Sequence, residues 1–270
     1  MEKIIAFVQN LSLDITAGAI ISSLFVAKVF GVVLTFEIVL GLGIAIWLIY
    51  SADHLWDGYR VKGQAVNPRH AFHQKYFKVL SVISLLVFGI GVYNMFQLPV
   101  ETIKAGLGLV VLTALYFLYL KLSKTSSQKE LFAAFVYVAG IFIGPISLLA
   151  SWDWMFLVVF VQFFLLAYVN LMLFPLFEME ADNRQGMASI ALNRGAKSTK
   201  RRIGIASVIN ELIIVVCIGF GFNDNKAQFM ILAMSLTLLL LIQAPTFLKR
   251  YNLYRIIGDG IFFLPGLALL

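Results

Sequence analysis

Five of the chain's 14 carboxylates lie in two short stretches, Ser51-Ala-Asp-His-Leu-Trp-Asp-Gly-Tyr-Arg60 and Phe177-Glu-Met-Glu-Ala-Asp-Asn-Arg-Gln-Gly186. On a helix, Asp53 and Asp57 stand one turn apart on one face, and Arg60 returns to nearly the same face. Glu178 and Asp182 repeat that spacing, while Glu180 points away from them. Like charges four residues apart weaken a helix, so each pair calls for a cation. Mg²⁺ is the natural candidate, because it takes hard oxygen ligands and binds through one or two carboxylates together with substrate phosphates. Two such pairs facing each other would hold two or three ions against one diphosphate. The histidines do not redirect this reading to zinc. Closed zinc sites take three or four nitrogen or sulfur ligands, and the sole cysteine, Cys217, stands in a distant apolar run. His54 faces elsewhere on its helix, and His70 and His73 read as loop residues.

The rest of the composition says what must position these groups. Of 270 residues, 61% are hydrophobic and 13% charged, with a mean hydropathy of +0.91. A soluble domain is about 45–50% apolar and about 25% charged. A soluble enzyme, a disordered chain and a nucleic-acid-binding domain are therefore excluded, and a polytopic membrane protein remains. Lipid cannot satisfy backbone polar groups, so its spans must be helices and the fold class all-α. Nine apolar blocks qualify as spans: 11–33, 36–59, 77–97, 103–122, 131–150, 154–177, 203–222, 227–248 and 256–270. The last, with 15 residues, falls short of the roughly 20 that cross a hydrocarbon core about 30 Å thick. No linker or low-complexity segment divides the chain, so residues 1–270 read as one domain. The apolar stretch Ile4–Val8 is shorter than a signal-peptide core, and no cleavage is expected.

Charge then orients the bundle. With a cytoplasmic amino terminus, 18 of the 21 Lys and Arg residues fall on the inside, so the net charge of +7 is mainly an orientation signal. The expected location is a multi-pass position in a bacterial inner (cytoplasmic) membrane. Both carboxylate pairs end even-numbered spans on that inside face, and each opens a long inside loop, 60–76 and 178–202, a parallel that hints at internal duplication. Arg60, Arg69, Lys121 and Lys124 lie on the nearest inside loops. They can make charge-assisted contacts with diphosphate oxygens as negative charge accumulates there. Lys197, Lys200, Arg201 and Arg202 read as a positive-inside cluster. Asn170, eight residues before Glu178 and near the same face, is expected to face a cavity, while Asp14, Gln162 and Gln243 bridge helices. Most aromatics, 14% of residues, serve packing and interfacial belts such as Trp152 and Trp154. Some can shield a carbocation.

The two stretches resemble the aspartate-rich motifs of the UbiA superfamily of intramembrane prenyltransferases. In the second, Glu178, Glu180, Asp182, Gly186, Ser189, Ile190 and Gly195 fall without a gap on a family pattern of D-x-E-G-D-x-x-x-G followed by Ser or Thr, an apolar residue and Gly. In the first, usually NDxxDxxxD, Asp53 and Asp57 align with the second and third aspartates. Ile49 and Tyr50 stand where Asn and the first Asp are expected, and Glu178 replaces an aspartate, the pattern of a divergent member. Asn67-Pro-Arg-His resembles an element after the first motif, and Lys121 with Gly140 and Gly144-Pro145 resembles the loop and helix after span four.

The resemblance implies a nine-helix bundle whose motifs end helices two and six, and an enzyme of isoprenoid biosynthesis. It would use Mg²⁺ held by Asp53, Asp57, Glu178 and Asp182, with Glu180 behind them. An isoprenyl diphosphate would donate its prenyl group to a lipophilic, aromatic acceptor, with membrane lipid around the protein and no nucleic acid involved. A terpene cyclase, a transporter built on the same carboxylates and a non-catalytic lipid-binding homologue are the alternatives. Donor length, acceptor identity and oligomeric state are not legible.

Overall fold

A computed structural model describes residues 2–61, 68–123, 129–185, 189–221, 225–243, 247–248 and 253–270. The described residues form helices α1 (Glu2–Asn10), α2 (Leu13–Val29), α3 (Phe36–Arg60), α4 (Pro68–Lys75), α5 (Phe77–Met95) and α6 (Val100–Ser123). They continue with α7 (Lys129–Ser147), α8 (Trp154–Gln185), α9 (Ile190–Arg194), α10 (Ala196–Gly219), α11 (Asn225–Gln243) and α12 (Leu253–Gly260). A 3₁₀ helix over Ile261–Ala268 closes the chain. Except for 256–270, each expected apolar block is mostly α-helical over its described residues. Six helices, α3, α5, α7, α8, α10 and α11, are long and apolar enough to cross a membrane, and the protein is an integral membrane helix bundle. The block at 256–270 is broken rather than one spanning helix. Pro265 lies within the 3₁₀ segment and cannot donate to an α ladder.

The described residues of the two long polar stretches, 60–76 and 178–202, are largely helical. Helix α4 opens on Pro68, a residue preset for a first helical turn, and α8 runs on through Gln185. At 1.5 Å per residue, the 32 residues of α8 span roughly 48 Å against a hydrocarbon core of about 30 Å. Its polar final turns therefore leave the apolar layer, where charged helix costs little. Between α9 and α10, Gly195 takes φ 80° and ψ 150°, a backbone region open essentially to glycine alone.

Helix α8 is the hub: 56% of its most apolar stretch is buried, against 11% for α5. It packs on α7, α10, α11 and α12, while α7 also packs on α2, α3 and α6, and α2 packs on α3 and the 3₁₀ helix. Phe163, Leu166, Met172 and Leu173 of α8 meet Ile141, Ile231 and Met234 in one apolar core. Val82, Leu85 and Phe88 of α5 and Val110 and Leu115 of α6 face outward, as lipid-facing residues do. Gln162 and Gln228 exchange two buried amide hydrogen bonds of 2.8 and 3.3 Å across α8 and α11. Gln243 is exposed at the end of α11, where the helix has run out of partner and bridges nothing within the core.

Candidate functional site

A cavity of about 90 Å³ lies where α2, α3, α4, α7, α8 and α12 converge. Arg69, Asn170, Arg255 and Asp259 supply its polar lining, and Tyr50, Tyr137, Phe174 and Phe262 its aromatic one. Counting from Trp154 at the far end of α8, Asn170 stands roughly 24 Å along the axis and Glu178 roughly 36 Å. Asn170 therefore stands half-way along α8, and Glu178, bonded to the cavity-lining Arg255, lies about two turns nearer the polar end of that helix.

Arg69 is buried in the bundle at 8% exposure. Its Nη1 lies 3.3 Å from His54 Nε2, and His54 Nδ1 lies 3.2 Å from Ser12 Oγ. A guanidinium can only donate, so His54 Nε2 is the acceptor and the imidazole proton sits on Nδ1, donated to Ser12. Ser12, at the break between α1 and α2, has φ 55°, the one positive value at a non-glycine among the described residues. Such local strain is held only where neighbours over-determine it. His73 Nδ1 donates to the Arg69 carbonyl at 2.9 Å. Burial pushes the imidazoles of His70 and His73 below their ordinary value, so both are neutral near pH 7.

Arg255 is held from the other side. Glu178 Oε1 accepts from Arg255 Nε at 2.7 Å and from the Tyr254 hydroxyl at 2.7 Å, and Arg255 Nη2 lies 2.5 Å from the same oxygen. The guanidinium carbon stands 5.4 Å from the centre of the Phe174 ring, and Tyr254 stacks on Phe177 with ring centres 4.5 Å apart. Gly258 makes this approach of α12 to α8 possible: a Cβ there would stand 2.6 Å from Asn170 Oδ1 and 2.9 Å from Phe174 Cε1. Asn170 Nδ2 reaches Asp259 Oδ1 at 3.5 Å, and Asp259 Oδ2 is buried without a hydrogen-bond partner. Both Arg69 and Arg255 lie within electrostatic reach of Asp14 and Asp259.

Arg69 and Asn170, both read as substrate contacts, meet in the cavity. Asp53 is exposed at the end of α3, and Asp57 is half-buried with Oδ2 3.8 Å from His70 Nε2. The cation beside both is Lys129 of α7. His70 stands between the two pairs, within electrostatic reach of both Asp53 and Glu178. Yet the pairs do not merge: among the described residues, no three His, Cys, Asp or Glu side chains come close enough to hold one ion. Asp182 is half-buried, Glu180 is exposed as its spacing predicts, and Arg60 is exposed in the last turn of α3. Lys121 ends α6, but its side chain, like Lys124, Asn67 and Gly186, lies outside the described residues.

Sequence reasoning missed four members of this site. By sequence Arg255 is only one of the many inside cations and Tyr254 one of many aromatics, and helical spacing turns His54 away from Asp53 and Asp57. Asp259 carried a usable signal, a carboxylate inside an apolar block, which is costly unless it works. Tyr50 lines the cavity at the position where the motif expects its first aspartate.

These donor sets differ in their fit to Mg²⁺. Asp53 and Asp57 offer two hard oxygens one turn apart, with Lys129 and arginines acting on them electrostatically, and they fit an ion completed by water and phosphate. Glu178 does not fit. Its Oε1 is taken by three donors, and a dication there would stand against a fixed guanidinium.

The bundle and its cavity define an integral membrane protein that is all-helical over its described residues. No family model and no curated protein matches the sequence. Among solved structures, the chain is similar to that of digeranylgeranylglyceryl phosphate synthase in membranes, with a TM-score of 0.57 at 12% identity over 98% of both chains. At that identity the likeness is one of fold, end to end.

Proposed function

We propose that this protein is an intramembrane prenyltransferase that moves an isoprenyl group from an allylic diphosphate to a lipophilic, aromatic acceptor. The observation that carries the reading is the cavity itself, with guanidinium groups and aromatic rings meeting inside an apolar bundle. A diphosphate needs donors fixed in advance where charge accumulates. Arg69, locked by His54 and the helix beneath it, is such a donor. The allylic C–O bond breaks with its electron pair leaving on the diphosphate, and Tyr50, Tyr137, Phe174 and Phe262 face the developing cation with ring density while excluding water. Asn170 orients the reacting group. Asp53 and Asp57 would hold Mg²⁺, which when bound supplies Lewis-acid stabilisation of the leaving group. Arg60, Lys121 and Lys124 are outer contacts that draw diphosphate toward this end. The whole chain, 1–270, works as one unit with its amino terminus and site on the cytoplasmic side of a bacterial inner membrane.

The test is pyrophosphate release by purified protein with Mg²⁺ and geranyl, farnesyl, geranylgeranyl or longer diphosphates. Asp57→Ala is expected to lower release by about 10² or more, the order set by losing one preorganised charge contact. Release with a free hydrocarbon or terpenol as product would make the protein a cyclase. No release from any donor, with ion-dependent uptake into proteoliposomes, would make it a transporter.

A further inference from the structure

We propose that Arg255 is the resident cation of the second carboxylate pair, so that Glu178 and Asp182 hold no metal ion and this guanidinium meets a phosphate group in the cavity directly. The naming of the phosphate as part of an isoprenyl diphosphate rests on the transferase reading above; the cation assignment does not.

Three observations carry it. First, one oxygen of the Glu178 carboxylate is committed, with Arg255 Nε and the Tyr254 hydroxyl each 2.7 Å from Oε1 and Arg255 Nη2 against the same oxygen. Glutamate in place of the aspartate of the motif adds one methylene, which extends the carboxylate toward α12. Second, Arg255 is pinned: Phe174 lies under its guanidinium, and Gly258 lets α12 close onto α8. A dication drawn to Glu178 would face that fixed positive charge at short range, where like charges repel strongly even at moderate screening. Third, Arg255 also lines the cavity, as does Arg69. Arginine has five N–H donors in a planar fork. Glu178 engages one edge, which leaves donors for the bidentate contact that guanidinium makes with phosphate. Asp14 and Asp259 offset part of the positive charge near the cavity, so recognition depends on these aimed donors more than on bulk charge.

The full-length protein in lipid nanodiscs is titrated with inorganic pyrophosphate in excess EDTA. Wild type is expected to bind, and Arg255→Gln to weaken binding at least tenfold. Arg255→Lys, which keeps a charge on Glu178 but lacks the fork, is expected to weaken it several-fold and keeps the test open if the glutamine variant does not fold. In parallel, bound Mn²⁺ is counted by electron paramagnetic resonance with pyrophosphate present, and Asp182→Asn is expected to match wild type. Pyrophosphate binding that is absent from wild type without metal, or unchanged in both arginine variants, overturns the proposal, as does loss of Mn²⁺ from Asp182→Asn. A protein that binds pyrophosphate through Arg255 yet releases none from any isoprenyl diphosphate would confirm the site and remove the transferase reaction.

Discussion

Because a guanidinium donates and never accepts, Arg69 dictates the tautomer of His54, and His54 in turn dictates where Arg69 points. His54→Leu should leave the buried Arg69 donor and the Ser12 hydroxyl without their partner, at a cost of about 1–3 kcal/mol. We expect a lower unfolding temperature in detergent and slower pyrophosphate release, with His54→Gln recovering part of both because its amide oxygen can accept from Arg69. The Glu178–Arg255 pair predicts a larger effect. Glu178→Gln strands a partly buried guanidinium, a loss somewhat short of the about 3–5 kcal/mol typical of breaking a fully buried pair from one side. The Glu178→Gln/Arg255→Gln double variant should then be less destabilised than the sum of the two singles. Additive losses would show that the two side chains do not work as a unit. Neither pairing was legible beforehand. Glu178 and Arg255 lie 77 positions apart, and helical spacing relates residues within one helix, not across the bundle.

Elements were far more legible than partners, because each apolar block is long enough to announce a helix whatever it packs against. What hydropathy could not show was helix outside the apolar layer: α4, the end of α8 and the start of α10 are polar, and α4 coils where it docks on α1, α3 and α5, while α9 packs on α8 and α10. Glycines at close approaches are where element packing can be tested. Gly258→Ala would push a methyl into Asn170 and Phe174, an overpacking cost of about 1–3 kcal/mol. Gly106→Ala in α6 meets no atom within 4 Å and should leave the unfolding temperature unchanged or slightly higher. Gly195→Ala strains a backbone conformation that alanine avoids, about 1–3 kcal/mol again. Thermal unfolding of the three variants in one detergent should rank Gly106→Ala well above the other two. Equal melting of all three would mean that α12 does not sit against α8 as described.

At the scale of the whole molecule, the basic residues and the site occupy the same end, and that coincidence is what ties chemistry to topology. A Lys or Arg near an anionic membrane surface is worth about 1 kcal/mol, so the 18 of 21 such residues that the sequence pattern assigns to one face would set a strong preference. Lys28, near the opposite end of α2, is accounted for locally: its Nζ donates to the Ala268 carbonyl at 2.8 Å, near the end of the closing 3₁₀ helix. Helix α8 runs between the two ends, with Ser151 exposed before it and Arg184 exposed in its last turn. The sole cysteine, Cys217, is buried, so a Cys217→Ala background gives a clean labelling target. In intact bacterial cells expressing the protein, Ser151→Cys should react with a membrane-impermeant maleimide, and Arg184→Cys should react only after the membrane is opened. The reverse pattern would place the carboxylates, Arg69 and Arg255 on the outer face, away from a cytoplasmic supply of diphosphate, and the transferase reading would fall with the orientation.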